Sequence, residues 1–473
     1  MFEEIDHILG PGGLLAGTLE GYEPRTSQVE MARLIAEALR SGRQAMIEGG
    51  TGTGKTFGYL VPLILSRAKC LISTGTRNLQ EQIFSKDIPL LRLAGLKNID
   101  AVMMKGRRNY LCLYRYHKVF CERLFPSASA SVVKGRIERW FAETPFADRS
   151  ELTWMADGDP LWDDLSASSE QCLGGDCPYR ENCFLNRLRA RAAEARIVIV
   201  NHHLLCADLK VRQGGFGEII PRSQVVLFDE AHSLDEVATS YFGERLSTHQ
   251  LTDLLADWRK ACEGIEAGRN TISNGHLADL SAGIEDLIAR FSGLPEKGKL
   301  ASNFIEELET GPAARIARGL SGFQTALQDE PELTLLAQRA AEYRGTLPEI
   351  FSSNDVNRLA WYEKKARGVI LYSSPLDVAE PLRENLYKKV ESVIFTSATL
   401  TPGGTFDYVK SRLGIPEALE ASYPSHFDVR TQSLLYIPRD LPSPGDPSFP
   451  RTLAPRIHAI LLCTRGRALV LFT

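Results

Sequence analysis

Gly49-Gly-Thr-Gly-Thr-Gly-Lys-Thr56 stands between an apolar run at residues 45–48 and a helical stretch that begins near Phe57. The pattern G-x-x-x-x-G-K-[ST] in a strand–turn–helix setting reads as a phosphate-binding loop. Glycines let the backbone wrap an anion, and helix-terminal N–H groups point at it; a lysine neutralises the terminal phosphates, and a hydroxyl ligates magnesium. Those roles fall to Gly49, Gly52, Gly54, Lys55 and Thr56. The alternative, a merely flexible glycine turn, fits the flanking strand and helix poorly.

Working outward, short apolar runs recur at residues 70–73, 197–200, 225–228 and 393–395, most of them followed by glycine or polar turns. This is the pattern of buried parallel strands. Between some of them lie amphipathic segments such as 28–39, with Val29, Met31, Ala32, Leu34, Ile35, Ala38 and Leu39 apolar, which predict helices covering a sheet. The expected class is α/β. The run Val225-Val-Leu-Phe-Asp-Glu-Ala-His232 sets two acids directly after one strand, with Asp229 placed to hold magnesium through water and Glu230 to orient or deprotonate an attacking water. Alone, such a pair is as readily a solvated loop or helix cap; the phosphate loop tips the reading toward a nucleotide site.

The 473 residues exceed one ordinary core at about 100 to 200 residues per domain. With 44% hydrophobic and 24% charged residues, the chain reads as a soluble globular protein without disordered bias. No apolar run approaches the ~18 residues that span a bilayer. The opening Met-Phe-Glu-Glu-Ile-Asp puts acids where a signal peptide needs bases, so a cytoplasmic location without a membrane partner is expected. In that reducing compartment nine cysteines are not a disulfide framework, and clustered ones point to metal or redox chemistry. The net charge of -4 argues against a generally basic nucleic-acid binder, although binding needs only a local basic surface.

Two stretches break the α/β pattern. Residues 105–187 carry Cys112, Cys172, Cys177 and Cys183, and their charge is split: positions 101–140 hold nine Lys or Arg and two Glu, whereas 141–176 hold nine acids and one Arg. Only the first half suits phosphates. Four thiolates can close one site, and soft sulfur suits either tetrahedral zinc or an iron–sulfur cluster. Cys70, Cys121, Cys206, Cys262 and Cys463 read as small core hydrophobes, with Cys121 the substitute ligand. Lys105, Arg107, Arg108, Arg115 and Lys118 are expected to track a phosphate backbone, with Tyr110, Tyr114 and Tyr116 available for base stacking; a solvated basic face is the alternative. The second stretch, residues 246–347, has helical segments such as 251–262 and 276–291 and few strand signals, so it reads as a helical insertion.

The phosphate loop, Asp229-Glu-Ala-His232 and Ser397-Ala-Thr-Leu400 occur in the order of superfamily 2 helicases. Between the first two, Ser73-Thr-Gly-Thr-Arg-Asn-Leu-Gln-Glu-Gln82, Gly106-Arg-Arg-Asn-Tyr-Leu-Cys112 and Asn201-His-His-Leu-Leu205 resemble the iron–sulfur branch that contains DinG, YoaA and XPD, and the bacterial DinG/YoaA group most of all. The matches run from residue 22 to 472. The resemblance implies a RecA-like P-loop motor domain in three segments, 1–104, 188–240 and 366–402. It also implies an inserted iron–sulfur domain at 105–187, a helical arch domain at 241–365 and the start of a second RecA-like domain at 403–473.

Implied cofactors are ATP, Mg2+ and a [4Fe-4S] cluster on Cys112, Cys172, Cys177 and Cys183. The implied catalytic set is Lys55, Asp229, Glu230 and His232, with Thr56 and Asp229 on magnesium. Tyr22-Glu-Pro-Arg-Thr-Ser-Gln28 resembles a Q-motif, so Arg25 and Gln28 inherit adenine recognition. Ser397 and Thr399 inherit the coupling of hydrolysis to movement, and Thr76 and Arg77 join Lys105, Arg107, Arg108 and Arg115 on nucleic acid.

The implied activity is an ATP-dependent DNA helicase of 5' to 3' polarity that translocates on single-stranded DNA and unwinds forked duplexes in repair or replication. A monomer at the bacterial nucleoid is expected, with replication or repair proteins as partners. The competing class is a redox-sensitive nucleic-acid-binding module that uses ATP structurally and separates no strands. Lys55 lies so near the start that no upstream exonuclease domain is expected. Residues 468–473 are expected to be the first strand of the second motor domain, and no Q-x-x-G-R-x-x-R pattern follows Thr399. Slow ATP turnover is expected of this chain, since an arginine finger is worth about 10³ to 10⁵ in rate.

Overall fold

The structure, a computed structural model, describes all residues except 123–127, 157, 216, 263–273, 326–330, 352–356, 367 and 472–473. The side chain of Cys262, expected in a core, and the end of the expected strand at 468–473 lie outside the described residues. The described strands are β1 (Ala45–Gly49), β2 (Cys70–Thr74), β3 (Ala101–Met103), β4 (Ile197–Asn201), β5 (Val225–Asp229), β6 (Glu244–Ser247), β7 (Lys297–Lys299), β8 (Arg358–Lys365), β9 (Gly368–Pro375), β10 (Ser392–Ser397) and β11 (Leu419–Tyr423).

The chain divides into two units, Met1–Pro424 and Ser425–Thr473. In the first unit seven strands form one parallel sheet in the order β11-β1-β10-β5-β2-β4-β3. Every residue of β2, β5 and β10 is buried, as a sheet covered on both faces requires. Successive side chains go to opposite layers: Met46, Val226, Phe228 and Phe395 join one core, Ile47, Ile72, Leu227 and Ile394 the other. Because the strands run parallel, their ends at Gly49, Thr74, Asn201, Asp229 and Ser397 share one edge. That is where open α/β sheets bind ligands.

The five apolar runs of the sequence are all strands of this sheet, and the segment 28–39 lies within the helix Thr26–Ser41. The sheet also takes in β3 and β11, which the sequence hides. The first is three residues long, and the second, Leu-Glu-Ala-Ser-Tyr at the sheet edge, is only half buried. β11 pairs with β1 and extends the first sheet, so residues 403–424 belong to the first unit instead of opening a second motor domain at 403.

Two inserted segments have cores of their own. The described residues of 105–187 include a core around Leu111, Tyr116, Ile137, Leu152, Leu165 and Phe184. The other surrounds Leu254, Trp258, Phe291, Phe323, Leu347 and Leu371 with helices that include Thr248–Cys262, Asn274–Arg290 and Pro331–Phe351. It is not purely helical: β6, β9, β8 and β7 form an antiparallel sheet. β8 and β9 are a hairpin paired from Arg358↔Pro375 to Lys365↔Gly368, so a boundary at 365 would cut it, and residues 366–375 belong with the insertion. Half-covered antiparallel strands mix polar and apolar residues and so lack the continuous apolar run that marks a parallel strand.

In the second unit the helix Phe449–Cys463 is the main element, and residues 468–471 form no strand among the described residues. An apolar run becomes a strand only where a neighbour takes up its hydrogen bonds. Among the described residues no helix is long and apolar enough to cross a membrane.

Candidate active site

β1 ends at Gly49, and the chain enters the helix Lys55–Ser66 through Gly54 at φ +77°, with Gly52 at φ +85°. These left-handed conformations favour glycine, and a Cβ on Gly54 would also stand 2.2 Å from Gln28 Nε2. Lys55 Nζ donates to the Gly49 carbonyl at 3.1 Å, so its ammonium lies over the loop, and Thr56 sits in the first turn of the helix. Arg25 and Gln28 brace the loop from outside. Arg25 Nη1 donates to the Gly52 carbonyl, Gln28 Nε2 donates to the Gly54 carbonyl at 2.8 Å, and Tyr22 Oη donates to Gln28 Oε1 at 2.6 Å. The adenine-facing role expected of Gln28 meets an amide whose two ends are already engaged by protein.

Asp229 closes β5 and is 4% exposed. Tyr59 Oη donates to its Oδ2 at 3.0 Å, while Thr396 Oγ1 at 3.2 Å and the Glu230 N–H at 3.0 Å donate to Oδ1. Burial, and then the adjacent Glu230 carboxylate, push the Asp229 carboxyl above its ordinary range; Tyr59, Lys55 and Thr396 pull the other way. A buried carboxylate with a hydroxyl-bearing helix turn nearby suits a hard divalent cation, so Thr56 and Asp229 would hold Mg2+. When bound, the ion neutralises phosphate charge. Tyr59, wholly buried, carries no sequence signature of this role.

Glu230 takes φ +57° and ψ 44°, a left-handed conformation that costs a non-glycine residue about 1 to 2 kcal/mol. Its Oε2 lies 3.3 Å from Ser397 Oγ and 3.4 Å from His232 Nδ1, and His232 Nδ1 lies 2.8 Å from Ser397 Oγ. The two boxes, read separately in the sequence, therefore meet in one polar cluster. Thr399 contributes its N–H to Ser397 Oγ at 3.3 Å. Glu48, one residue before the phosphate loop, accepts from the N–H groups of Leu400 at 2.6 Å and Thr401 at 2.7 Å, from Thr401 Oγ1 at 2.8 Å and from Ser422 Oγ at 3.2 Å. No motif marks Glu48, yet it ties the loop after β10 to β1.

On the other side of Glu230, the turn after β2 carries the exposed Thr76 and Arg77. Thr76 caps the next helix, its Oγ1 accepting from the Leu79 N–H at 3.3 Å. Burial, and then the Arg77 guanidinium, hold the exposed His203 below its ordinary pKa. Buried His202 sits 2.7 Å from Ser73 Oγ through Nδ1.

The basic track is largely absorbed into structure. Lys105 is 5% exposed; its ammonium contacts Glu81, Asp148 at 2.8 Å and Ser150 Oγ at 3.0 Å. Arg115 donates to the carbonyls of Asp164 at 3.0 Å and Asp163 at 3.1 Å. The basic and acidic halves of this insertion thus pair with each other, which a sequence count cannot reveal. Tyr110 and Tyr116 are buried and hydrogen-bonded to the Lys105 N–H and to Glu138, so neither is a stacking platform. Tyr114 stays half-buried, and Arg108 is exposed.

Cys112, Cys172, Cys177 and Cys183 all line one cavity of about 380 Å³, together with Arg107 and Arg189. Arg107 Nη1 lies 2.7 Å from Cys172 Sγ, so Arg107 faces the thiols and not an open phosphate track. Among the described residues no group of three or more His, Cys, Asp or Glu side chains converges tightly enough to hold a single metal ion. Burial raises the thiol pKa of Cys112 and of Cys177. Cys70 and Cys206 are core residues as expected, whereas Cys121 and Cys463 are exposed, and Cys121 does not line the cavity.

A DEAD/DEAH box helicase family model matches residues 30–109. The ATP-dependent DNA helicase YoaA of Haemophilus influenzae is 34% identical over 483 residues, covering 99% of this chain and 74% of that protein. YoaA of Escherichia coli is 34% identical over 476 residues, covering 98% and 73%. The ATP-dependent helicase DinG of Mycobacterium tuberculosis is 29% identical over 499 residues, covering 96% and 72%. With its phosphate loop, its paired acids and its Ser-Ala-Thr box gathered on one sheet edge, the chain belongs to the YoaA/DinG family of ATP-dependent DNA helicases.

Proposed function

We propose that this protein moves 5' to 3' along single-stranded DNA and separates forked duplexes during repair or replication, as a monomer associated with the bacterial nucleoid and with replication or repair proteins. The observation that carries this reading is the cluster of Glu230, His232 and Ser397, one strand from the phosphate loop. In it Lys55 neutralises the terminal phosphates, Thr56 and Asp229 hold Mg2+, and Glu230 orients the attacking water. His232 and Ser397 transmit its position to the loop after β10. Nucleotide hydrolysis depends chiefly on such positioning and electrostatics. Thr76, Arg77 and Arg108, all exposed, take DNA phosphates; contact of Arg25 with adenine would accompany its bond to Gly52.

Four cysteines around one cavity, in a chain that resembles the iron–sulfur branch, support a [4Fe-4S] cluster over zinc. Such a cluster ties together distant parts of the insertion.

Forks with a single 5' or 3' tail test polarity, and displacement is expected only with the 5' tail. Lys55→Ala and Glu230→Gln should each suppress hydrolysis; undiminished turnover in either refutes the assignment. Fork binding without displacement favours the redox-sensitive binding module. About four iron and four sulfide per chain are expected, and stoichiometric zinc without iron rejects the cluster.

A further inference from the structure

The turn after β2 runs close beside Glu230. A Cβ on Gly75 would stand 3.2 Å from Glu230 Cβ and 3.4 Å from Ser233 Oγ, and the next two residues are Thr76 and Arg77. Thr74 Oγ1 donates to the Thr76 carbonyl at 2.9 Å, so the turn is closed on itself and moves as a piece.

Beneath it lies His202, with no exposed surface. Nδ1 is 2.7 Å from Ser73 Oγ, and Nε2 is 3.5 Å from the Glu230 carbonyl oxygen. A carbonyl oxygen only accepts, so Nε2 carries the ring proton and Nδ1 accepts the Ser73 hydroxyl.

His202 is not needed to start its own helix, His202–Gln213, because Asn201 caps it by accepting from the Leu204 N–H at 2.9 Å. Glu230, in contrast, holds a left-handed backbone that its surroundings must maintain. Its carbonyl receives the Ser233 N–H at 3.1 Å and Ser233 Oγ at 3.0 Å, and faces His202. A displacement of residues 73–77 therefore reaches Glu230 through the hydrogen bonds of His202, while Gly75 leaves no room for a side chain between the turn and Glu230.

We propose that His202 is a positioning residue, a buried strut by which nucleic acid held at Thr76 and Arg77 sets the backbone of Glu230, and with it the placement of the attacking water. The inference rests on the nucleic-acid placement proposed above. It assigns the Asn-His-His box a task distinct from that of the Ser397 cluster, which meets Glu230 through its carboxylate.

Coupling between two ligands is reciprocal, so binding reads it without turnover. The measurement is the affinity of the full chain for a non-hydrolysable ATP analogue with Mg2+, with and without an oligothymidylate strand. Ser73→Ala removes one hydroxyl, and His202→Gln removes the ring. In Ser73→Ala the affinity without DNA should match wild type, while the factor by which DNA changes it falls roughly fivefold, the worth of one hydrogen bond. Adding Ser73→Ala to His202→Gln should change nothing further, because the two act as one link. A merely structural role would lower the thermal midpoint and leave the factor intact.

Wild-type factors in the folded variants overturn the proposal while sparing the motor reading. If His202→Gln fails to fold, Ser73→Ala decides alone. Wild-type protein that binds both ligands with a factor of one overturns the strut, while the motor reading is overturned only by the absence of strand displacement and of DNA-stimulated hydrolysis.

Discussion

Tyr59 Oη and Asp229 Oδ2 lie 3.0 Å apart, joining the helix behind the phosphate loop to the acid that ends β5 across 170 positions of chain. The tyrosine is buried within the core on that face of the sheet, so its hydroxyl is fixed by packing before any nucleotide arrives.

Tyr59→Phe keeps the packing and deletes one donor to Asp229. Loss of about 1 kcal/mol of positioning corresponds to a roughly fivefold rise in the Mg2+ concentration that half-saturates ATP hydrolysis. A magnesium titration at fixed ATP checks this, and an unchanged midpoint would show that Thr396 and Glu230 suffice.

Lys105→Ala should act on stability and not on DNA. The ammonium is buried but Glu81 is 37% exposed, so removing the ammonium costs about 1.5 kcal/mol, the low end for a hydrogen bond to a charged group, and strands Asp148 beside Glu81. Chemical denaturation of the variant should show that loss, with the salt dependence of single-strand binding unaltered. Arg108→Ala should do the reverse, leaving stability alone and reducing the log–log salt slope by about 0.7.

Glu48→Gln leaves one oxygen for the Leu400 and Thr401 N–H groups but removes the carboxylate charge and replaces the oxygen facing the Thr401 and Ser422 hydroxyls by a donor. Burial tends to raise the Glu48 carboxyl, but its four donors outweigh burial and hold it below the ordinary carboxylate range. A depressed folded-state pKa contributes stability that is present above the unfolded value and lost as pH falls through the folded one. The thermal midpoints of wild type and variant should therefore differ by a constant amount at neutral pH and converge below the ordinary carboxylate range. A gap that survives acidification would mean that the carboxylate charge is irrelevant.

Arg107→Ala takes a guanidinium from beside Cys172 Sγ. Groups just outside a metal centre are typically worth 10-fold or more in affinity, about 1.4 kcal/mol. With the proposed cluster in place, the variant should hold less iron per chain and bleach faster in air than wild type. Equal iron content would assign Arg107 a packing role only.

The motifs around Lys55, Asp229 and Ser397 were legible because each follows a short, continuous apolar run, and a parallel sheet must line up the ends of such strands. Local pattern thus determined the α/β core, its strands and the nucleotide chemistry at their carboxyl edge. Tertiary structure alone decided which polar side chains meet. Glu48 and Tyr59 look ordinary in sequence and His202 stands in a box whose sequence assigns it no task, and each bonds a partner more than a hundred residues away. It also decided that Lys105 is spent on Glu81 and Asp148 and Arg115 on the carbonyls of Asp163 and Asp164, and that β11 joins the edge of the first sheet. The physical reason is that periodicity records which residues leave water, whereas hydrogen bonds and ion pairs depend on distances set only when separate segments pack.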